Sequence, residues 1–339
     1  MARWVWKRKR PAIVVAAVAA VVIGGGVALA GGGSAPAAPS ADPASSPSVT
    51  ASASPKPKPS PKAAKPTDPL TGGKVSDHEV IAAKIENIAQ ARPQVGLSQA
   101  DLVVAEEVEG AQTRLVAVFH TRFPTRLGPV RSARSTDAQL LPLFGRPGLV
   151  YSGANSRVQR TIDKASITPI FRATRDNRRV APHNVFVDLM SIAASEKAGQ
   201  ARDIGWTFAA ATPNGGSTKP HPTSKVGHDT FRFDYGSDRY TVRWNGQRYV
   251  DGDSGAVTKV DNVVVLRVHN HPDGNRDVLG SASVMSDTVG SGAVTVYRDG
   301  RSFRGTWSRK SASAPMTLRS ADGEDIPLAP GQTWVTLQG

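Results

Sequence analysis

Between residues 102 and 120 the apolar positions fall in two dense runs. In LVVAEEVEGAQTRLVAVFHT, Leu102 to Glu109 and Thr113 to His120 are rich in β-branched and apolar residues, and a short turn containing Gly110 joins them. Two such runs about a glycine-bearing turn predict a β-hairpin. A period of two sends Val103, Ala105, Glu107 and Glu109 to one face and Val104, Glu106 and Val108 to the other, so the glutamates divide between faces. Just upstream, VIAAKIENI fits a strand and a helix equally well and stays open on pattern alone. Downstream the spacing predicts a helix from about Ser132 to Leu143, a short strand LVYSG, a helix near residues 154–164, and a helix in VDLMSIAASEKAG that ends at Gly199.

The pattern changes after ATPNGGSTKPHPTSK, residues 211–225, which reads as a linker. Short strands then come in close succession, in TFRFDY, YTVRWNG, GQRYVD, NVVVLRVH, AVTVYRDG, SFRGTWSR and PMTLRS, with Gly, Asp or Asn at most turns. An α+β N-terminal part, residues 66–210, and a β-rich C-terminal part, residues 226–339, are expected, long enough together for a sizeable core.

The first 65 residues have a different character. MARWVWKRKR is a basic tail over residues 1–10, followed by PAIVVAAVAAVVIGGGVALA, a charge-free run inside an apolar segment over residues 11–33. Twenty helical residues rise about 30 Å, enough to cross hydrocarbon. The positive-inside rule keeps the Lys/Arg cluster cytoplasmic and exports the rest of the chain. Ala28-Leu29-Ala30 also resembles a signal-peptidase site, so anchor and cleaved signal both stand. With either, the body is extracytoplasmic. Residues 34–65 are nearly all Ala, Pro, Ser and Lys, with too little apolar surface to offset chain entropy, and predict a disordered stalk.

Charge changes this picture little. The formal net charge is +14, but ten Lys and Arg stand against two Asp through Lys74, which places +8 there and +6 on the remainder. A mildly basic body argues against a nucleic-acid partner. The chain has no cysteine, hence no disulfide, no thiolate metal site, no cysteine nucleophile and no thioether lipid anchor. No cofactor is expected.

Several long motifs occur in order: DPLTGG (68–73), ARPQVGLSQADLVVAEEVEGAQTR (91–114), GPVRSAR (128–134), RRVAPHNVF (178–186), then GAVTVYRDGRSFRGTWSR and DGEDIPLAPGQTWVTL. Together they resemble the YerB-like lipoprotein family over roughly residues 66–339. The resemblance implies a two-part cell-surface protein with mixed sheets and flanking helices in a layered arrangement, and little about chemistry. This chain lacks the family's lipidated cysteine, so an apolar helix must anchor it, or it is released.

Candidate chemistry centres on TRLGPVRSARSTD. Arg131 and Arg134 would stand in the first turn of the expected helix, where the dipole disfavours cations. Either Glu106, Glu107 and Glu109 compensate them as a structural network, or a bound anion does. Asn155, after LVYSGA, and His183-Asn184, held on a loop by Pro182, are candidates for the same cleft, and Arg114 stands beside the glutamates. Glu106 and Glu109 as acid and base would suit glycan cleavage, but they project to opposite faces of a regular strand. Ser132 lacks an elbow motif. His269 and His271 fall on one face of an extended chain without an identifiable third ligand, and a strand-end turn is the expectation there; Asp251 to Gly255 reads as a hairpin turn, with Asn262 where a calcium loop needs an acid. No metal site is assigned. Trp307 and Trp334 are expected in the core rather than as a sugar platform. The expectation is a binding protein for an anionic envelope glycan, peptide or lipid-linked ligand; the alternative is a wall-glycan hydrolase or transferase using the glutamates.

Overall fold

Hydrogen bonding on both edges turns VIAAKIENI into a strand. In the computed structural model, which describes residues 67–277 and 280–339, Ile81–Glu86 (β1) is buried at every position. A strand covered on both faces loses polar alternation, which is why its period was ambiguous. Next come β2 (Leu102–Glu107), β3 (Thr113–Phe119), α1 (Ser135–Leu140), β4 (Gly148–Val150), α2 (Ser156–Lys164), β5 (Thr168–Ile170), β6 (Thr174–Arg175), β7 (Val185–Phe186) and α3 (Leu189–Ser195). The second half is built of strands: β8 (Ser217–Thr218), β9 (Thr223–Val226), β10 (Asp229–Gly236), β11 (Arg239–Trp244), β12 (Gln247–Arg248), β13 (Lys259–Val260) and β14 (Asn262–Arg267). It finishes with β15 (Asn270–Arg276), β16 (Ala282–Ser286), β17 (Gly290–Arg298), β18 (Arg301–Arg309), β19 (Thr317–Ser320) and β20 (Thr333–Gln338).

One mixed sheet of eleven strands runs through both halves in the order β19-β18-β17-β14-β20-β2-β3-β1-β4-β5, with β8 on β18. The last strand is the seam. Parallel pairing sets Thr333 against Leu102 on one side and Asn262 on the other. A second sheet, β12-β11-β10-β9 with β13 on β11, supplies Phe231, Phe233 and Val242 to a core cluster that also holds Val103, Ala105 and Ala117. The other cluster takes Val104, Val116 and Ala82 with Leu140 of α1 and Val158 and Ile162 of α2. Alternation in β2 and β3 therefore feeds two cores. Among the described residues the α-helices are few and short, with 6, 9 and 7 residues in α1, α2 and α3.

The predicted hairpin is β2–β3, paired antiparallel with Glu106 opposite Arg114. The helix expected from Ser132 starts at Ser135, because Arg131 to Ala133 are extended and bonded elsewhere: Arg131 N–H donates to Lys84 O at 2.8 Å and Ala133 N–H to Gly153 O at 3.0 Å. The VDLM helix stops at Ser195 rather than Gly199, whose N–H donates to Arg146 O at 2.7 Å while its carbonyl accepts from Val80. Residues 211–225, expected as a linker, carry β8 and the start of β9. Trp334 packs against Phe231, Phe233 and Tyr249, and Trp307 is equally buried, so both serve the core. Asp251 accepts from the N–H groups of Asp253, Ser254 and Gly96, as a turn staple does. The tail, apolar segment and stalk expected over residues 1–65 lie outside the described residues; among the described residues no helix is long and apolar enough to cross a membrane.

Candidate functional site

Ladder register places a charged row across three strands. Glu106 on β2 lies opposite Arg114 on β3, which lies opposite Glu86 on β1, and Lys84 sits two residues before Glu86 on the same face. The row is covered by the segment entering α1. Lys84 is fully buried and pairs with Glu106 and, at 2.7 Å, with Asp137 of α1. Burial and a second carboxylate sharing one ammonium raise the Glu106 carboxyl to about 7. Asp137 also accepts the backbone N–H of Arg134 at 2.7 Å. Arginine has no acceptor to offer at the N-cap it occupies, so its side chain turns away to Glu109.

That contact is a two-pronged pair, with Arg134 Nε and Nη2 each 2.6 Å from a Glu109 oxygen. Burial pulls Glu109 upward, but the Arg134 fork outweighs it and holds the carboxyl below its usual range. Arg114 donates to Ser132 O at 3.1 Å and lies 3.9 Å from Glu109; burial and the neighbouring Arg134 lower it to about 10. Arg131 Nε reaches Glu86 at 2.8 Å, and His183 Nδ1 meets the other Glu86 oxygen at 2.9 Å. The network balances Lys84, Arg114, Arg131 and Arg134 against Glu86, Glu106, Glu109 and Asp137.

The expected residues are thus only partly brought together. Glu106, Glu109, Arg114, Arg131, Arg134 and His183 share the network, while Glu107 leaves it to accept from Asn270 at 3.0 Å. Asn155 caps α2, accepting the N–H groups of Arg157 and Val158, and Asn184 accepts from Arg175 at 3.0 Å. Arg131 and Arg134 stand before α1 rather than in its first turn, and each pairs with a carboxylate, Arg131 with Glu86 and Arg134 with Glu109. Lys84, Glu86 and Asp137 were not expected. The alternation of β1 was the signal that would have placed Lys84 and Glu86 together, and it was obscured by burial on both faces.

Solvent reaches this region beside Arg131. Its side chain is 27% exposed, and no partner is present for its two Nη atoms among the described residues. Arg131 O accepts from Ser152 N–H at 3.0 Å, and Ser152 lines a cavity of about 240 Å³ with Tyr151, Phe171, Ala173, Thr174, Arg175 and Val185. Tyr151 directly follows β4 and Phe171 directly follows β5, two strands parallel to β1, so the cavity opens at the carboxyl ends of parallel strands, where open sheets gather ligands. Phe171 is 61% exposed with its ring 4.7 Å from that of Tyr151, and Arg175 is exposed beside it.

Two family models match the chain: the N-terminal domain of a protein of unknown function (DUF3048) over residues 69–202, and its C-terminal domain over residues 221–335. The chain belongs to this YerB-like family. It is similar to the protein named "Putative lipoprotein YerB" of Bacillus subtilis (strain 168), 24% identical over 299 residues, which cover 81% of this chain and 87% of that one. The crystal structure of YerB from Bacillus subtilis superposes with a TM-score of 0.67 at 22% identity, covering 80% of this chain and 96% of that chain. At that identity the likeness shows the YerB-like fold alone. It is a sheet-rich fold with mixed sheets and few helices.

Proposed function

We propose that this chain is an extracytoplasmic protein of the cell envelope that binds an anionic sugar or peptide group at the carboxyl ends of β4 and β5. The cavity beside Arg131 carries the reading. An exposed aromatic face at Phe171 suits the apolar side of a sugar or peptide, and the guanidinium group of Arg175 in the cavity wall suits a carboxylate or phosphate, with Arg131 joined to that wall through its carbonyl on Ser152. The location rests on the basic tail followed by a long apolar run, consistent with a helix anchor in place of a lipidated cysteine, and on the name of the lipoprotein relative. Binding is favoured over glycan hydrolysis because Glu106 is sealed from solvent against Lys84 and Glu109 is held ionised by Arg134, which leaves neither poised as a general acid.

The test uses the full chain with purified envelope material carrying anionic groups. Phe171→Ala and Arg175→Ala are each expected to weaken retention about tenfold, the loss of one stacking or charge-assisted contact, at an unfolding midpoint close to that of the parent. Retention unchanged in a Phe171→Ala/Arg175→Ala double variant overturns the site. Turnover of that material, lost in Glu106→Gln, would replace binding by catalysis.

A further inference from the structure

Three groups converge at the open end of the β15–β16 hairpin. His269 immediately precedes β15, and Asp287 immediately follows β16; the N–H of Asp287 donates to His269 O at 3.0 Å, so the two stand opposite each other in the antiparallel register. His271, two residues along, falls on the same face. His269 Nδ1 lies 3.3 Å from Asp287 Oδ2, and His271 Nε2 lies 3.3 Å from Asp287 Oδ1. The segment is strand rather than the strand-end turn expected, and pairing supplies the third ligand from sixteen positions downstream of His271.

Hydrogen bonding fixes the tautomer of one ring. His271 Nδ1 lies 3.1 Å from Pro272 O, a carbonyl that only accepts, so in the neutral ring Nδ1 carries the proton and the Nε2 lone pair faces the Asp287 carboxylate. Acceptor then faces acceptor, an arrangement that a shared cation relieves. Among the described residues no Lys or Arg forms an ion pair with Asp287. A tetrahedral ion held at about 2.0–2.1 Å sets its ligand atoms about 3.3 Å apart, and each imidazole stands at that distance from one carboxylate oxygen, His269 from Asp287 Oδ2 and His271 from Asp287 Oδ1. One atom from each residue lies within 4.8 Å of the others.

We propose that His269, His271 and Asp287 form a binding site for a borderline divalent transition ion, Zn2+ foremost, with the fourth position left to water or a ligand. Two imidazoles with a single carboxylate select such an ion over Ca2+ or Mg2+, which take oxygen ligands. His271 also lines a cavity of about 410 Å³ with Ser135, Gln139, Arg157 and Asp273, so the ion and that cavity share a wall.

The experiment is equilibrium titration of the untagged full chain with Zn2+ against a chromophoric chelator. One ion per chain is expected, with affinity lowered at least about tenfold in His269→Ala, in His271→Ala and in Asp287→Asn. His221→Ala, outside the cluster, keeps the parent affinity. Circular dichroism of each metal-free variant confirms an intact fold. No uptake of Zn2+ by the parent chain, which would leave a proton as the shared cation, overturns the proposal. So does affinity unchanged in the His269→Ala/His271→Ala double variant, or Ca2+ bound more tightly than Zn2+.

Discussion

Lys84 shows how much a single residue decides here. An ammonium with no solvent contact holds two carboxylates, and one positive charge cannot neutralise both in a dry site. Glu106 responds by binding its proton up to about 7, against 4.5 for a free glutamate. The folded state therefore holds a proton that the unfolded chain releases near 4.5, and its contribution to stability, complete below about 4.5, is lost as pH rises toward 7. Glu106→Gln, a fixed mimic of the protonated acid, is expected to lack that decline. Urea unfolding of both proteins at intervals from pH 5 to 8 checks it: the parent should lose stability relative to the variant across this range and run parallel above it. A parent curve parallel to the variant throughout would show that Glu106 is ionised in the fold.

At the scale of elements, turns decide how the pieces meet. Gly227, between β9 and β10, has φ +54°, and a Cβ there would come within 2.2 Å of Ala111 O, in the turn that carries Glu109. Gly246, between β11 and β12, has φ +84° with nothing within 4 Å. Both substitutions to alanine place a side chain in the left-handed region at a cost of about 1 kcal/mol, but only Gly227→Ala also forces the second sheet away from the Glu109 turn. Gly227→Ala is expected to cost at least about 1 kcal/mol more than Gly246→Ala, from overpacking; the difference in denaturant midpoints at constant m-value measures it. Elements were legible in unequal measure. The β2–β3 hairpin and α2 stand where the pattern put them, the hairpin because two β-rich runs flank a glycine-bearing turn. β1 was ambiguous because both its faces are buried, and α1 lost its first turn because Lys84 and Gly153 capture the backbone that would have formed it.

At the scale of the molecule, β20 joins what the chain presents as two halves. It is inserted between β2 and β14 and carries Trp334, fully buried against Phe231 and Phe233 of the second sheet and against Tyr249, which directly follows β12. Trp334→Ala removes the side chain on which both sheets pack and is expected to cost about 3–5 kcal/mol. Because the eleven-stranded sheet is continuous, that loss should shift one cooperative transition, with tryptophan fluorescence and far-UV circular dichroism remaining coincident. Two separated transitions, with only one moved, would show that the halves unfold independently. The candidate site has the same origin. Tyr151 and Phe171 directly follow β4 and β5, and the parallel pairing of β4 with β1 and with β5 sets those strand ends side by side.

Local periods and composition by themselves determined the hairpin, the strand-rich second half, the burial of Trp307 and Trp334 and the pairing of Arg134 with the hairpin glutamates. Those properties depend on neighbours within a few residues, where side-chain period and turn chemistry act. Tertiary structure decided which acid meets which base, that β20 closes one sheet across both halves, and that Asp287 joins His269 and His271. Each of these rests on strand order and register, which come from burying whole faces against partners far along the chain.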